Sequence, residues 1–223
     1  MIIKEKSSAN ERDYVLRVER SFYENHINYK VLIYNQIKSV IDVFIAIIGL
    51  VVTSPILILA AVAIKIESKG SVFYLQERVG LHGKIFKVIK LRSMAMGAEK
   101  NGAQWAATDD PRVTKVGKAL RKTRIDEIPQ FINMLKGDMS LIGPRPERPV
   151  FTALFNEETP GFVNRLSIKP GLTGWAQVNG GYDITPPEKL KLDIEYIKSM
   201  NLTLDIKIIL LTIKIVFTGN GAR

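Results

Sequence analysis

Two adjacent carboxylates, Asp126 and Glu127, sit in the run "RKTRIDEIPQ", with Arg121, Lys122 and Arg124 just before them. Cations this close favour the ionised carboxylate, the form that a nucleophile or a Mg²⁺ ligand needs. The same cations can clamp phosphate oxygens. On the residues alone a second reading stays open. Thr123-x-x-Asp126 has capping-box spacing, and Asp126 could itself cap a helix carrying Pro129 in its first turn. Acidic residues are ordinary at a helix start. A carboxylate can do both, so neither reading excludes the other.

Downstream, "GPRPERP" places Arg145 and Arg148 on backbone stiffened by Pro144, Pro146 and Pro149. Guanidinium groups held this way suit phosphate or uracil-edge recognition. A rigid turn with solvated arginines fits the same residues. In "PGLTGWAQVNGG" the glycines allow close backbone approach to a ligand and Trp175 offers a stacking face. The alternative is a packed loop with a core tryptophan. Neither GxGxxG nor GxxxxGK[ST] occurs. There is no cysteine, which excludes disulfides and thiol catalysis. The two histidines, His26 and His82, are far apart, which argues against a histidine zinc site or a Ser-His triad.

The elements that must position these residues are dominated by one apolar stretch. Val43 to Ile64 carries no charge over 22 residues, long enough to cross the ~30 Å hydrocarbon core of a bilayer. Ser54-Pro55 falls in its middle. Pro55 lacks an N–H and clashes with the preceding turn, so a kink is expected there, with Ser54 serving the freed backbone groups. Each arm is about 15 Å, half the core. That suits a helix that enters and leaves by one face, and basic residues flank both sides. A spanning helix with a tolerated proline stays open on these grounds. Residues 202–217 read as an amphipathic helix, on the membrane surface or packed on the body.

Between them, residues 71–94 read as a β-hairpin around Leu81-His82-Gly83. Residues 96–117 read as loop, and 118–138 as partly helical with Ile128, Phe131, Ile132 and Leu135 on one face and Gly137 at its end. Residues 140–149 read as extended or turning, 168–187 as a long loop and 188–200 as an amphipathic helix. Charged residues at 24% and apolar residues at 46% of the 223 are globular proportions, with no secretory signal in the polar opening. The net charge of +10 favours an anionic partner. Its basic residues are not interleaved with aromatics, which argues against nucleic acid.

These blocks, in this order, closely resemble the bacterial sugar transferases, the monotopic polyprenyl-phosphate phosphoglycosyl transferases. The likeness runs over about residues 38–223 and is most specific in "DEIPQFINMLKGDMSLIGPRP". It implies a fold that is mainly α with small β-hairpin elements. A polar lead-in (1–37) would precede a re-entrant membrane helix (38–66) broken at Ser54 and Pro55. A cytoplasmic catalytic domain (67–223) would follow, with surface-lying amphipathic helices and a C-terminal interfacial helix. It implies transfer of a sugar-1-phosphate from a UDP-sugar to undecaprenyl phosphate, giving UMP. That is the first membrane step of capsule, exopolysaccharide or O-antigen synthesis, at the cytoplasmic face of the bacterial inner membrane.

By the same resemblance Asp126 is the nucleophile, carrying a covalent phosphosugar and a Mg²⁺ ion. Glu127 positions it or accepts a proton. Arg121 binds phosphate, and Pro144-Arg145-Pro146 matches a nucleotide-site motif. Arg124, Arg78 and Arg92 join them as substrate-binding candidates. Membrane lipids are expected partners, and a homodimer is compatible with a membrane-surface enzyme. About 37 unmatched residues precede the matching blocks, which suggests a minimal catalytic unit. The competing role is a membrane-surface scaffold that has lost catalysis.

Overall fold

The computed structural model describes residues 29–100, 110–180 and 184–218. The expected lead-in up to residue 28 and part of the expected loop at 96–117 lie outside the described residues. The first described element, α1 (Tyr29–Glu67), starts earlier than the expected boundary at residue 38. It runs as helix straight through Ser54 and Pro55, so the expected break does not interrupt it. The reason is local. Pro55 cannot donate to the carbonyl of Val51, and Ser54 Oγ donates to that oxygen instead at 2.8 Å. One residue earlier, Thr53 Oγ1 donates to the Gly49 carbonyl at 2.6 Å.

Strand β1 (Phe73–Val79) pairs antiparallel with β2 (Ile85–Leu91), from Phe73 opposite Leu91 to Val79 opposite Ile85. The connection is the expected Leu81–Gly83 turn, in which His82 takes a left-handed backbone (φ 52). Next come α2 (Lys115–Lys122), a 3-10 helix (Ile125–Gln130) and α3 (Phe131–Leu135). Then follow β3 (Ser140–Ile142), α4 (Pro149–Glu158), a second 3-10 segment (Phe162–Ser167) and β4 (Gly171–Thr173). The described chain ends with α5 (Trp175–Gly180), α6 (Pro186–Ser199) and α7 (Leu202–Thr218).

Two features differ from the sequence reading. The stretch at 168–187 is not one long loop, because it holds β4 and α5. Strand β4 pairs with β3 in parallel, so the second sheet is not a hairpin. Gly143 makes this pairing possible, since a side chain there would strike the carbonyl of Lys169. Trp175 packs in the apolar cluster around Ile142, Ile168, Tyr196 and Ile208, with the Lys207 amine over its ring. The core reading of that tryptophan holds.

Helix α1 lies along the body on one stripe. Ala46 joins the cluster of Phe86, Val88, Met134 and Met139. The Phe131 ring sits so close to Gly49 that a Cβ there would come within 2.7 Å of it. Beyond Pro55, Ala60 and Ile64 pack with Leu91 and Leu120. The other faces are bare: Val51, Val52 and Leu59 are 68%, 69% and 70% exposed. Among the described residues α1 is the one helix long and apolar enough to cross a membrane. On α7, Leu202, Ile206, Leu210, Ile213 and Phe217 are also exposed, while Ile208 is fully buried.

Candidate active site

The chain leaves α2 through Arg124, whose backbone is left-handed (φ 57). For a residue with a Cβ this conformation costs about 1–2 kcal/mol. The strain sits two residues before Asp126 and reverses the chain into the 3-10 helix. Asp126 and Glu127 are therefore inside that helix, and no side chain caps it. Thr123 Oγ1 turns back to the carbonyl of Ala119 at 2.9 Å. The capping reading of these acids is not realised.

Glu127 is held by two cations. Its Oε1 accepts from Lys90 Nζ at 2.7 Å and from Arg145 Nη2 at 2.6 Å. Lys90 comes from β2, whose edge is clamped by the buried side chain of Asn133. Its Oδ1 accepts from Ile89 N at 3.0 Å and its Nδ2 donates to Lys87 O at 2.8 Å. Burial pushes the Glu127 carboxyl up, but Arg145 and Lys90 outweigh it and hold it well below the usual range. Such a carboxylate is a weak base, which favours positioning over proton acceptance.

Asp126 is 7% exposed. Among the described residues no protein donor bonds its carboxylate. Burial is the largest influence and raises its pKa to about 6; the adjacent Glu127 charge adds to the rise, while Lys90, Arg121 and Arg145 oppose it. The result is a desolvated carboxylate, ionised at neutral pH, with its oxygens uncommitted.

The loop after β3 is immobilised carbonyl by carbonyl. The oxygens of Pro144, Arg145, Pro146 and Glu147 accept from Gly171 N (3.0 Å), Arg165 Nη2 (2.8 Å), Arg78 Nη1 (2.9 Å) and Val79 N (2.9 Å). The Glu147 side chain is buried between Lys189 (2.8 Å) and Arg78 (3.7 Å). This fixed loop aims Arg145 at Glu127.

Asp126, Glu127, Arg121, Arg124, Arg145, Arg78 and Arg92 all line one cleft of about 1010 Å³. Pro144 and Pro146 are not among the residues lining it; their carbonyls are tied to Gly171 N and Arg78 Nη1. The predicted residues do not all have free heads. Arg92 commits both terminal nitrogens to the carbonyls of Lys69 (2.6 Å) and Ser68 (2.9 Å), just past the end of α1. It acts as a tie between the end of β2 and the end of α1. Arg78 is engaged with Gln76 as well as Pro146. Arg121 donates to Ser93 Oγ at 2.8 Å. Ser54 and Pro55 lie outside the cleft. The cleft is also lined by apolar side chains, among them Leu172, Val178, Ile184, Ile215 and Val216.

Sequence reasoning missed Lys90, Glu147, Lys189, Arg165 and Asp193. The alternating "IFKVIKL" strand pattern was the one signal that could have singled out Lys90, as a charge at a position facing the body. Among the described residues no three His, Cys, Asp or Glu side chains gather into a cation site. With Glu127 engaged by cations, Asp126 is the one carboxylate of the pair left to offer. That fits Mg²⁺ as phosphoryl-transfer sites hold it, through one or two carboxylates and the substrate's phosphates.

Residues 33–219 match the family described as bacterial sugar transferase. The chain is 47% identical over 194 residues to the UDP-N-acetylgalactosamine-undecaprenyl-phosphate N-acetylgalactosaminephosphotransferase of Aeromonas hydrophila, covering 86% of this chain and 46% of that protein. It is 40% identical over 191 residues to the UDP-glucose:undecaprenyl-phosphate glucose-1-phosphate transferase of Escherichia coli K12, covering 83% and 41%. It is 42% identical over 198 residues to the galactosyl transferase CpsE of Streptococcus agalactiae, covering 83% and 43%. The chain spans less than half the length of these three relatives.

Proposed function

The chain belongs to the bacterial sugar transferase family, and from that membership we propose that it moves a sugar-1-phosphate from a UDP-sugar to undecaprenyl phosphate. The products are undecaprenyl-diphospho-sugar and UMP. The observation that carries this reading is Asp126: a buried carboxylate, bonded by no donor among the described residues and under the influence of Lys90, Arg121 and Arg145, in a cleft lined by both charged and apolar side chains.

A carboxylate oxygen of Asp126 attacks the β-phosphorus of the UDP-sugar. The bond to the bridging oxygen breaks and UMP leaves with that oxygen, so the sugar phosphate is held as an acyl phosphate. An oxygen of the lipid phosphate then attacks the same phosphorus and the Asp126 carboxylate departs. Splitting one displacement into two in this way is what a covalent nucleophile offers. Phosphoryl transfer otherwise needs positioning and charge neutralisation. Arg121 and Arg145 supply cations for the diphosphate, and Glu127 holds Lys90 and Arg145 beside the reacting group. Bound Mg²⁺ would neutralise phosphate charge, with Asp126 as its protein ligand.

The packing of α1 supports a helix that stays helical through Pro55 yet keeps both of its ends on one face of the membrane. Body residues rest on α1 both before and after Pro55, and Phe131, five residues from Asp126, touches its middle at Gly49. A helix crossing a bilayer would carry that polar body into the lipid core, at a cost of several kcal/mol for each stranded polar group. A half-immersed helix leaves the bare faces of α1 and α7 in lipid and Asp126 at the surface. At the cytoplasmic face of the inner membrane that surface meets both a soluble nucleotide sugar and a lipid phosphate.

The test is UMP release by purified protein with Mg²⁺, undecaprenyl phosphate and UDP-N-acetylgalactosamine, UDP-glucose or UDP-galactose. Wild type should release UMP with one of them, and Asp126→Asn should lose at least about 10³-fold. Mass spectrometry of enzyme quenched without lipid acceptor should show a phosphosugar on Asp126. Absence of UMP release with every donor would sink the enzyme and leave the scaffold role standing.

A further inference from the structure

The Arg165–Asp193 pair lies outside the reacting groups and is among the most deeply buried charge in the molecule. Its side chains are 1% and 2% exposed. Arg165 Nε and Nη2 meet Asp193 Oδ2 at 2.8 and 2.7 Å, and the guanidinium lies over the Phe162 ring at 5.0 Å. Taking two charges out of water costs several kcal/mol each, and a well-packed apolar pair of similar volume is often as stable. Stability alone therefore gives little reason for an ion pair here. Its third contact gives one: Arg165 Nη2 also donates to the carbonyl of Arg145 at 2.8 Å.

That carbonyl belongs to the peptide between Arg145 and Pro146. Proline has no N–H, so a hydrogen bond can hold this peptide plane only through its oxygen. The same residue's side chain reaches Glu127 at 2.6 Å. The tilt of that plane sets where the Arg145 side chain starts, and a guanidinium misplaced by 1 Å at a reacting centre can cost 10²-fold in rate, as an order of magnitude.

We propose that Arg165 and Asp193 are positioning residues for the transfer reaction, fixing the Arg145–Pro146 peptide so that Arg145 is aimed at Glu127 beside Asp126. This rests on the transferase reading above. Asp193, on α6, holds the guanidinium; Arg165, from the segment before β4, relays its position to the loop after β3. Three segments distant in sequence are thereby tied to one side chain of the site; Arg165 lines the cleft with a side chain only 1% exposed, and Asp193 is not among the lining residues.

A double-mutant cycle tests it, read as UMP release per mole of folded protein. A lysine amine ends one bond short of Nη2, so Arg165→Lys keeps a cation for Asp193 and loses reach to the Arg145 carbonyl. It should lower kcat about tenfold with the KM for undecaprenyl phosphate unchanged. In an Arg145→Lys background the same change should cost less than about twofold, because the group being aimed is already gone. Asp193→Glu, which shifts the carboxylate by one methylene, should show the same coupling and serves if Arg165→Lys folds poorly. Losses that multiply independently of Arg145, or that track the folded fraction alone, overturn the proposal. A wild-type protein that releases no UMP overturns the transferase reading itself and this inference with it.

Discussion

Asp126 and Glu127 are neighbours in sequence with opposite electrostatic surroundings, and their substitutions should move stability in opposite directions. Asp126 has its carboxyl raised from 3.8 to about 6. The folded state then holds a proton that the unfolded chain has released, between those two values. Stability falls as pH rises through that window, and the ionised carboxylate costs about 3 kcal/mol above it. Asp126→Asn removes the cost. Without ligands its melting temperature should exceed wild type at pH 8 and converge with it near pH 4; a gap of the same size at both pH values would contradict this. Activity should follow the same titration, rising through about pH 6 to a plateau, with about a tenth of the carboxylate ionised at pH 5. Glu127 runs the other way. Its folded pKa is depressed, so its contribution is present above 4.5 and is lost only as pH falls through a value well below that. Glu127→Gln strands Lys90 and Arg145 and should cost about 3–5 kcal/mol at neutral pH, read by denaturant unfolding in detergent. The acid pair was legible because it is contiguous in a specific motif. Lys90 was not, because it lies in an ordinary strand and meets Glu127 only when β2 folds beside the 3-10 helix.

The elements are held to α1 by polar contacts that its composition hid. Lys38 and Asp42 looked like charges at the entrance of an apolar segment, yet both are buried. Asp42 Oδ1 accepts from Leu141 N at 2.9 Å. Lys38 Nζ donates to the Ile142 carbonyl and to Tyr196 Oη, each at 2.5 Å, and pairs with Asp205 of α7 at 3.4 Å. Tyr34 and Tyr196 donate to the two Asp205 oxygens at 2.8 and 2.7 Å. The network fixes how α1 crosses α7, and it bonds the last residue of β3, just ahead of the Pro144–Glu147 loop. Lys38→Met should cost about 3–5 kcal/mol by leaving Asp205 buried without its cation, and adding Asp205→Leu should recover part of that loss. Additive losses in thermal unfolding would show that the two act separately. At this scale the hairpin was legible from its turn residues and α6 from its periodicity, with Thr185 and Glu188 forming its capping box. The β3–β4 pair was not. Each strand has three residues, too few for a pattern, and what joins them is the close backbone approach at Gly143.

At the scale of the whole molecule, α1 and α7 carry bare apolar faces, and residues of α7 also line the charged cleft. A length and hydropathy criterion alone treats α1 as a crossing helix, because it weighs the 35 residues from Ile33 to Glu67 without their partners. The partners of α1 bear on the proposed topology. Glu67, the last residue of α1, accepts from the backbone N–H groups of Lys115 and Val116 at 2.8 and 3.1 Å, while Asp42, just before the uncharged stretch, bonds β3. Both contacts tie α1 to the same body, which is the packing on which the proposed one-face topology rests. The chain has no cysteine, so single-cysteine labelling reads topology directly. Gln36→Cys and Lys69→Cys, both at exposed positions flanking the apolar stretch, should react with a membrane-impermeant maleimide from the same face of the membrane. In spheroplasts both should stay unlabelled, and in inverted vesicles both should label. Labelling of one from each face would place the two ends on opposite sides and overturn the re-entrant topology.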